Sequence, residues 1–484
     1  MDRLMELTPQ ELLFGIGNAR QQGLNDTAVD ILRRLMAETA QSPEVLGEAW
    51  EQALEHAMAL ADEDMAMEIA RRLMVLFPNN ARYVMVLAER LSRVGRSREA
   101  LELMNLLKPR TADNPALNYF AGVYAGHVGE LDAAKKEFRA AVTKKPDFGD
   151  AWSLLASSGG AKSTDIPALE ALIESGADHA MPGAAYALGA IYHAEGSHAA
   201  AWANWEKANQ FERTRRPFNR EGELAAMRAI READARIWQG GDLLMPKPPR
   251  AIFIVGAPRS GTSLTEQIIG AASEVGMMGE TMLSRLATWP LGNLMAADLE
   301  KVGAFTAPGT TWERFGAVYR HMASLRTGDS RVTTDKGAIL HLFVGALARM
   351  LPNAKFVWVR RDHRDIALSG YRSYLTDGNR WRHDLEDAAA YLQGHDEMMT
   401  YWAETFPGQV YELRYEDLVT TPQSETRKLM TFLDLSSVDV SEISFGGSNV
   451  PTASFAQIRS KISPRSVDAW KPYGDYLLPA FGQA

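Results

Sequence analysis

From Ala251 to Ala272 the chain reads AIFIV, then GAPRSGTS, then LTEQIIGAA: a short β-branched apolar run, a glycine loop and a helical segment. A strand, a glycine loop and a helix in that order form an anion trap. The amides of the loop and of the first helical turn have no intrahelical partner, and the helix dipole is positive there. Gly256 and Gly261 are spaced as in the phosphate loop of nucleotide hydrolases. Thr262, however, stands where those proteins place a lysine, and Arg259 sits inside the loop, so phosphate binding is expected and ATP hydrolysis is disfavoured. A second apolar strand pattern, KFVWVR from Lys355, runs into RDHRDIALS, which carries Arg360, Arg361 and Arg364 beside Asp362 and Asp365. By its residues alone this is either a second anion site or a charged helix start whose aspartates favour the dipole.

These motifs must be positioned by folded elements, and the composition supplies them. At 484 residues the chain is long enough for two to four domains. With 46% hydrophobic and 23% charged residues it has the profile of an ordinary globular protein. Lys+Arg number 52 against 61 Asp+Glu, a formal charge of -9, which argues against a chain-wide surface for nucleic acid. The absence of cysteine excludes disulfides, thiolate zinc sites and a cysteine nucleophile. MDRLMELTPQELLFGIG breaks its apolar residues with charges, unlike a signal peptide, and no membrane-spanning run is seen. A cytoplasmic location is the default expectation.

The first half repeats itself. NPALNYFAGVYAGHVGELDAAKKEFRAAVTKKP reads as two amphipathic helices with a turn at Gly129 and a stop at Pro146. Gly122, Ala134, Phe138, Ala141 and Pro146 follow the pattern of a tetratricopeptide repeat. Units begin at Gly47, Ala81, Pro115, Gly149 and Pro182, steps of 34, 34, 34 and 33 residues. A degenerate unit over Leu12–Ala40 caps one end, and the helical stretch Asn219–Gln239 closes the other. Such an array offers a concave surface to a partner protein or peptide, or serves as an assembly scaffold, in which case a homodimer is compatible. His193 and His198 flank a turn and read as surface residues. GGDLLMPKPPR, 240–250, lacks periodicity and marks a linker.

PRSGTS, Pro258 to Ser263, resembles the 5'-phosphosulfate loop of sulfotransferases that use 3'-phosphoadenosine-5'-phosphosulfate, PAPS. The resemblance implies that Pro258, Arg259, Ser260, Gly261, Thr262 and Ser263 bind that cofactor. The Lys355–Ser369 segment resembles the same family's 3'-phosphate motif, in which an arginine and a serine eight residues later hold the phosphate; Arg361 and Ser369 have that spacing. The two motifs lie about 100 residues apart in the expected order. GETMLSR is similar to a segment of tyrosylprotein sulfotransferases whose glutamate is the catalytic base, which implies that role for Glu280. VTTDKGAI is similar to an Asn-Lys-Asp segment of the same group and implies that Lys336 assists the sulfuryl group, although here Asp335 precedes the lysine and Gly337 follows it. YELRYEDL carries Tyr415 where relatives have a nucleotide-contacting tyrosine. SFAQIRSKISPRSVDAW resembles the segment that closes over the nucleotide, through Ser454, Arg459 or Lys461 or Arg465, and Trp470.

The expected architecture is an all-α tetratricopeptide-repeat solenoid over 1–240 followed by an α/β domain with a mostly parallel sheet over 249–484. The expected activity is PAPS-dependent sulfuryl transfer to an acceptor hydroxyl, with Glu280, Lys336 and Arg259 as the catalytic set and no metal. Transfer of this kind asks mainly for positioning and charge stabilisation. The acceptor is a protein or peptide, with tyrosine favoured, presented by the repeats; the alternative is a carbohydrate or small molecule, with the repeats used for assembly. A non-catalytic scaffold and a P-loop kinase are the remoter readings. His341, five residues beyond Lys336, is a weaker candidate base, since on a helix it would point elsewhere.

Overall fold

The computed structural model describes residues 7–110, 113–233, 236–239, 247–281, 283–288, 311–374, 379–443 and 462–482. Six helix pairs come first: α1 (Pro9–Gln21) with α2 (Asn25–Glu38), α3 (Trp50–Ala59) with α4 (Glu63–Leu76), and α5 (Ala81–Arg93) with α6 (Ser97–Leu107). Then follow α7 (Pro115–Val128) with α8 (Leu131–Lys144), α9 (Gly149–Ser157) with α10 (Ile166–Glu174), and α11 (Met181–Ala194) with α12 (His198–Arg215). The repeat arises from recurring contacts. In the units starting at Pro115 and Pro182 the eighth residue is glycine and the twenty-fourth an aromatic. A Cβ on Gly122 would lie 2.6 Å from the Phe138 ring, and one on Gly189 would lie 2.3 Å from Trp205 Nε1. Ala66, Ala100, Ala134 and Ala201, each the twentieth residue of its unit, are fully buried. Among the described residues, no helix is long and apolar enough to cross a membrane.

After α13 (Arg220–Glu232) and α14 (Arg236–Gln239) the chain enters a five-stranded sheet: β1 (Arg250–Val255), β2 (Val275–Glu280), β3 (Val332–Lys336), β4 (Lys355–Arg360) and β5 (Val410–Arg414). The strand order is β2-β3-β1-β4-β5, and all four pairings are parallel. Helices α15 (Thr262–Ile269), α16 (Leu283–Ala287), α17 (Thr311–Thr327), α18 (Val344–Met350), α19 (His363–Tyr371) and α20 (Leu385–Thr405) lie among the strands, and α21 (Tyr415–Thr420), α22 (Pro422–Leu433) and α23 (Gly474–Phe481) follow β5. The fold class is thus a helical repeat array followed by a parallel α/β sheet. The chain leaves β1 toward β3 and β2 on one side and leaves β4 toward β5 on the other, so the carboxyl ends of β1 and β4 flank the topological switch point. In open α/β sheets that crevice receives the ligand.

The two halves share cores. Leu12, Leu32 and Trp50 of the first pairs belong to one buried cluster with Phe253, Tyr319, Phe356 and Trp402. Tyr186, Trp202 and Trp205 belong to another with Tyr371, Tyr391 and Tyr473. The middle pairs keep a core of their own around Leu87, Tyr124, Phe138 and Trp152. The array is therefore tied to the sheet half at both ends. At the second junction the Trp202 ring stacks on Tyr371 at 4.7 Å and on Tyr476 at 4.5 Å. Asn209 Nδ2 donates to the Tyr371 carbonyl at 2.7 Å. Helix α13, expected to close the array, pairs with α20 instead, through Arg220 to Asp387 and Arg231 to Glu397. His193 and His198, read from the sequence as surface residues, lie 2.7 and 3.2 Å from the Tyr473 hydroxyl. Tyr473 is some 280 positions further along the chain, and no local pattern announces it.

Trp202→Ala removes the stacked ring and should cost about 3 kcal/mol or more. Because the cores are shared, it should lower one unfolding transition common to both halves, followed in parallel by calorimetry and circular dichroism. Two separate transitions, only one of them displaced, would contradict the shared core.

Candidate active site

The loop after β1 lies directly against β4. A Cβ on Gly256 would come within 2.5 Å of Ser260 Oγ and 2.8 Å of the Val359 carbonyl. Gly261 has φ +112, and a Cβ there would meet the Tyr415 ring at 2.5 Å. Arg259 holds φ +78, a conformation costly for a side chain other than glycine and often retained where a loop must aim its groups. The loop brings its residues to the start of α15, at Thr262 and Ser263, where free amides collect.

Around this loop the sheet half gathers cations. Arg259 Nε donates to Ser369 Oγ at 2.9 Å. Arg361 donates through Nη1 to the Arg259 carbonyl at 2.8 Å and through Nη2 to the Ser466 carbonyl at 2.6 Å, with its guanidinium 4.5 Å from the centre of the Tyr415 ring. The neighbouring arginines are occupied elsewhere: Arg360 pairs with Asp396 and Glu412, and Arg364 pairs with Asp362 and lies over Trp470. Arg361 is thus the member of RRDHR turned to the glycine loop. Arg372, one helical turn beyond Ser369, adds a further cation. Burial, and then the charges of Arg372 and Arg361, push Arg259 down to about 10. Burial likewise lowers Arg372. Arg361 Nε and Ser260 Oγ are buried with no hydrogen-bond partner among the described residues. Buried cations gathered at one loop, with buried donors left open among the described residues, suit phosphate oxygens. This donor set fits the cofactor that the loop's resemblance implies.

A second cluster stands on the other side of β1, at the ends of β2 and β3. Lys336 is 2% exposed. Its ammonium donates to Ser263 Oγ at 3.0 Å and lies 3.4 Å from Glu280 Oε1 and 3.6 Å from Glu266 Oε2. The Glu280 side chain is two-thirds exposed, with one edge on Lys336 and the rest open to solvent. Beneath them Asp335 accepts hydrogen bonds from Thr281 at 2.9 Å, Ser284 at 3.1 Å and Tyr319 at 3.2 Å. An exposed carboxylate beside a buried ammonium can take a proton from a bound hydroxyl while the ammonium stabilises negative charge.

The structure therefore brings together Ser263, Glu280 and Lys336 in one cluster, and Arg259, Ser369, Arg361 and Tyr415 in the other. Ser263 and Arg259, on one loop, join them. Arg259, expected to stabilise the sulfuryl oxygens and the departing phosphate, has a left-handed backbone and donates to Ser369 of α19. Ser454, Arg459 and Lys461 lie outside the described residues. Trp470 lies on Arg364, and Asp365 accepts from the Asp468 and Trp470 amides at 2.9 and 3.0 Å, which fastens the C-terminal segment to the start of α19. His341 is buried against Tyr391 and His395, away from Lys336. Among the described residues, no group of three or more His, Asp or Glu is placed to hold a metal. Sequence reasoning missed Glu266 and Arg372. Each is three residues from a serine already singled out, hence on the same helical side, and that spacing was the available signal.

Burial raises Asp335 from an ordinary 3.8 to about 6, against the lowering effect of its hydroxyl donors and Arg326. The folded chain then holds this proton more tightly than the unfolded chain. The resulting stabilisation is present at low pH and is lost as pH rises from about 4 to about 6. Its size is about 3 kcal/mol. Asp335→Asn should flatten this part of the stability profile in urea unfolding. An unchanged decline in the variant would assign it to other groups.

Residues 249–439 match the model of the Sulfotransferase family. An uncharacterized protein of Aquifex aeolicus (strain VF5) is 34% identical over 245 residues, which cover 48% of this chain and 31% of that protein. A putative protein-tyrosine sulfotransferase of Caenorhabditis briggsae is 24% identical over 249 residues, 45% of this chain and 80% of that protein. The chain thus spans less than a third of the length of the first relative and four fifths of the second. Among solved structures, the sulfotransferase domain from the Synechococcus PCC 7002 olefin synthase aligns at 19% identity over 47% of this chain and 89% of its own, with a TM-score of 0.33. MamA aligns at 19% identity over 34% of this chain and 97% of its own, with a TM-score of 0.29. The match to the Sulfotransferase family model is thus confined to the α/β half of the chain, from the start of the sheet to the segment after β5.

Proposed function

We propose that the protein transfers a sulfuryl group from PAPS to an acceptor hydroxyl, and that the acceptor is a polypeptide side chain, tyrosine foremost. The observation that carries the reading is the junction of the two clusters on one loop: an arginine cradle with open buried donors on the β4 side, and a Lys336–Glu280 pair on the β2 side, joined through Ser263. PAPS would supply the activated sulfuryl group and a phosphate leaving group. Arg361, Ser369 and Arg372 would hold the 3'-phosphate, with Tyr415 beneath Arg361. The amides and hydroxyls of 258–263 would hold the 5' end, with Arg259 between the two. Glu280 takes the acceptor proton as the new oxygen–sulfur bond forms and the bond from sulfur to the phosphate oxygen breaks. Lys336 and the loop amides stabilise the charge that gathers on the sulfuryl and phosphate oxygens.

The polypeptide acceptor is supported by the orientation of the array. Asp150, Tyr186 and His193, the second, fifth and twelfth residues of their units, contact Tyr374 and Tyr473 of the sheet half, and the carbonyl of Arg93, thirteenth in its unit, accepts from Arg326 at 3.1 Å. One face of the repeats is thus turned to the half that carries the site. Two relatives bearing the name putative protein-tyrosine sulfotransferase point the same way.

Calorimetric titration with the desulfated product, 3'-phosphoadenosine-5'-phosphate (PAP), should show tight binding, with AMP much weaker. Arg361→Ala should weaken PAP about tenfold or more, the loss of charged hydrogen bonds. Glu280→Gln should leave PAP binding intact and abolish most sulfation of a tyrosine peptide, about 100-fold or more. Sulfation of a carbohydrate but no peptide would transfer the reading to the other acceptor class. A folded protein that ignores PAP would leave a scaffold.

A further inference from the structure

The last turn of α15 carries a carboxylate that the reaction just described does not use. Glu266 is 4% exposed. Its Oε1 accepts from the Gly279 amide at 2.9 Å and from the Thr334 hydroxyl at 2.9 Å, while Oε2 lies 3.6 Å from Lys336 Nζ. Gly279 immediately precedes Glu280, and Thr334 lies two residues before Lys336. One buried side chain therefore fastens the ends of both strands from which the acid–base pair emerges.

That fastening is needed because the sheet cannot provide it. The β2–β3 ladder is in register from Val275 to Met277 and slips before Glu280 pairs with Lys336. At the slip Gly279 takes φ +70, and its amide donates to Glu266. The space beside Gly279 is open, so glycine is required there by the backbone conformation rather than by crowding. Without Glu266 the amide at the irregularity would lack its acceptor, and the buried ammonium would keep only the solvent-exposed Glu280 of its two carboxylates.

We infer that Glu266 is a positioning residue for sulfuryl transfer: it keeps Lys336 neutralised independently of Glu280 and, as a fixed negative charge on the same ammonium, leaves Glu280 free to take the acceptor proton. The inference rests on the role of Glu280 proposed above. Lys336 is flanked by two carboxylates, of which the buried one cannot reach solvent and the exposed one can. When Glu280 takes a proton, the ammonium retains Glu266. With Glu266 uncharged, Glu280 would be the one close carboxylate left to Lys336 among the described residues, and a proton taken there would leave the buried ammonium unpaired.

The test is Glu266→Gln, which keeps an oxygen for Gly279 and Thr334 and removes only the charge. The titration of Glu280 is read by NMR of protein labelled with δ-carboxyl carbon-13 glutamate, its signal assigned by its loss in Glu280→Gln. In Glu266→Gln the midpoint should move to lower pH by about half a unit or more, since removing a neighbouring negative charge favours the ionised form. PAP affinity should stay within about threefold. PAPS turnover with a tyrosine peptide should fall at least tenfold, with its acid limb displaced the same way. An unmoved midpoint in a folded variant overturns the inference, even if turnover falls, because a purely structural role would reduce amplitude alone. Should Glu266→Gln not fold, Thr334→Val, which removes one of the two neutral donors and keeps the charge, replaces it; it should leave the Glu280 midpoint within about 0.2 units of wild type, and a larger move would overturn the charge-based account. Failure of PAP to bind the wild-type protein would instead remove the sulfotransferase reading, and the carbon-13 titration stands apart from it.

Discussion

Positive charge taken out of water must be given something negative, and at the carboxyl edge of this sheet the protein supplies it unevenly. Lys336 is surrounded by carboxylates, Glu266 from within and Glu280 from the solvent side. On the other side of β1, burial and the charges of neighbouring arginines lower the hold of Arg259 and Arg372 on their protons. The nearest carboxylate to Arg361 on that side, Asp365, is 3.9 Å away and is engaged by the Asp468 and Trp470 amides. Among the described residues, Lys336 thus has two carboxylates within 3.6 Å, while the ion pair of Arg361 is longer, at 3.9 Å. A ligand with phosphate at one end and a transferable anionic group at the other matches that asymmetry.

The strand order produces the asymmetry. Since β1 lies between β3 and β4, its loop meets Lys336 on one side and Arg361 on the other. Neither cluster could form without the loop, because Ser263 touches one and Arg259 the other. The repeat array bears on both. Through Tyr186 and Trp202 it packs on Tyr371, at the end of the helix carrying Ser369. Through Arg93 it meets Arg326, whose charge is felt by Asp335 beneath Lys336. A domain description that divides the chain near 240 suits its sequence patterns, while the buried clusters cross that division.

What could be read from the sequence was what is encoded locally. The glycine loop announces itself because its backbone needs Gly256 and Gly261, and the repeat because its helices need small residues opposite aromatic ones at a fixed period. Arg361 could be separated from Arg360 and Arg364 only by resemblance; the structure separates them by partners, Asp396 and Asp362 engaging the other two. The contact of His193 with Tyr473 and the passage of α13 onto α20 join residues more than 150 positions apart, the strand order pairs segments about 50 to 100 positions apart, and neither leaves a periodic trace. Glu266 lay in plain view in LTEQII, but its use depends on a slip between β2 and β3 that no local pattern encodes.

The account stands on one ligand bridging the loop after β1 and the loop after β4. Hydrogen–deuterium exchange of the protein with and without PAP measures this directly. Slowed exchange is expected in both 257–264 and 361–372, with the middle repeats unchanged. Protection confined to one of the two segments, or found only in the repeats, would contradict it.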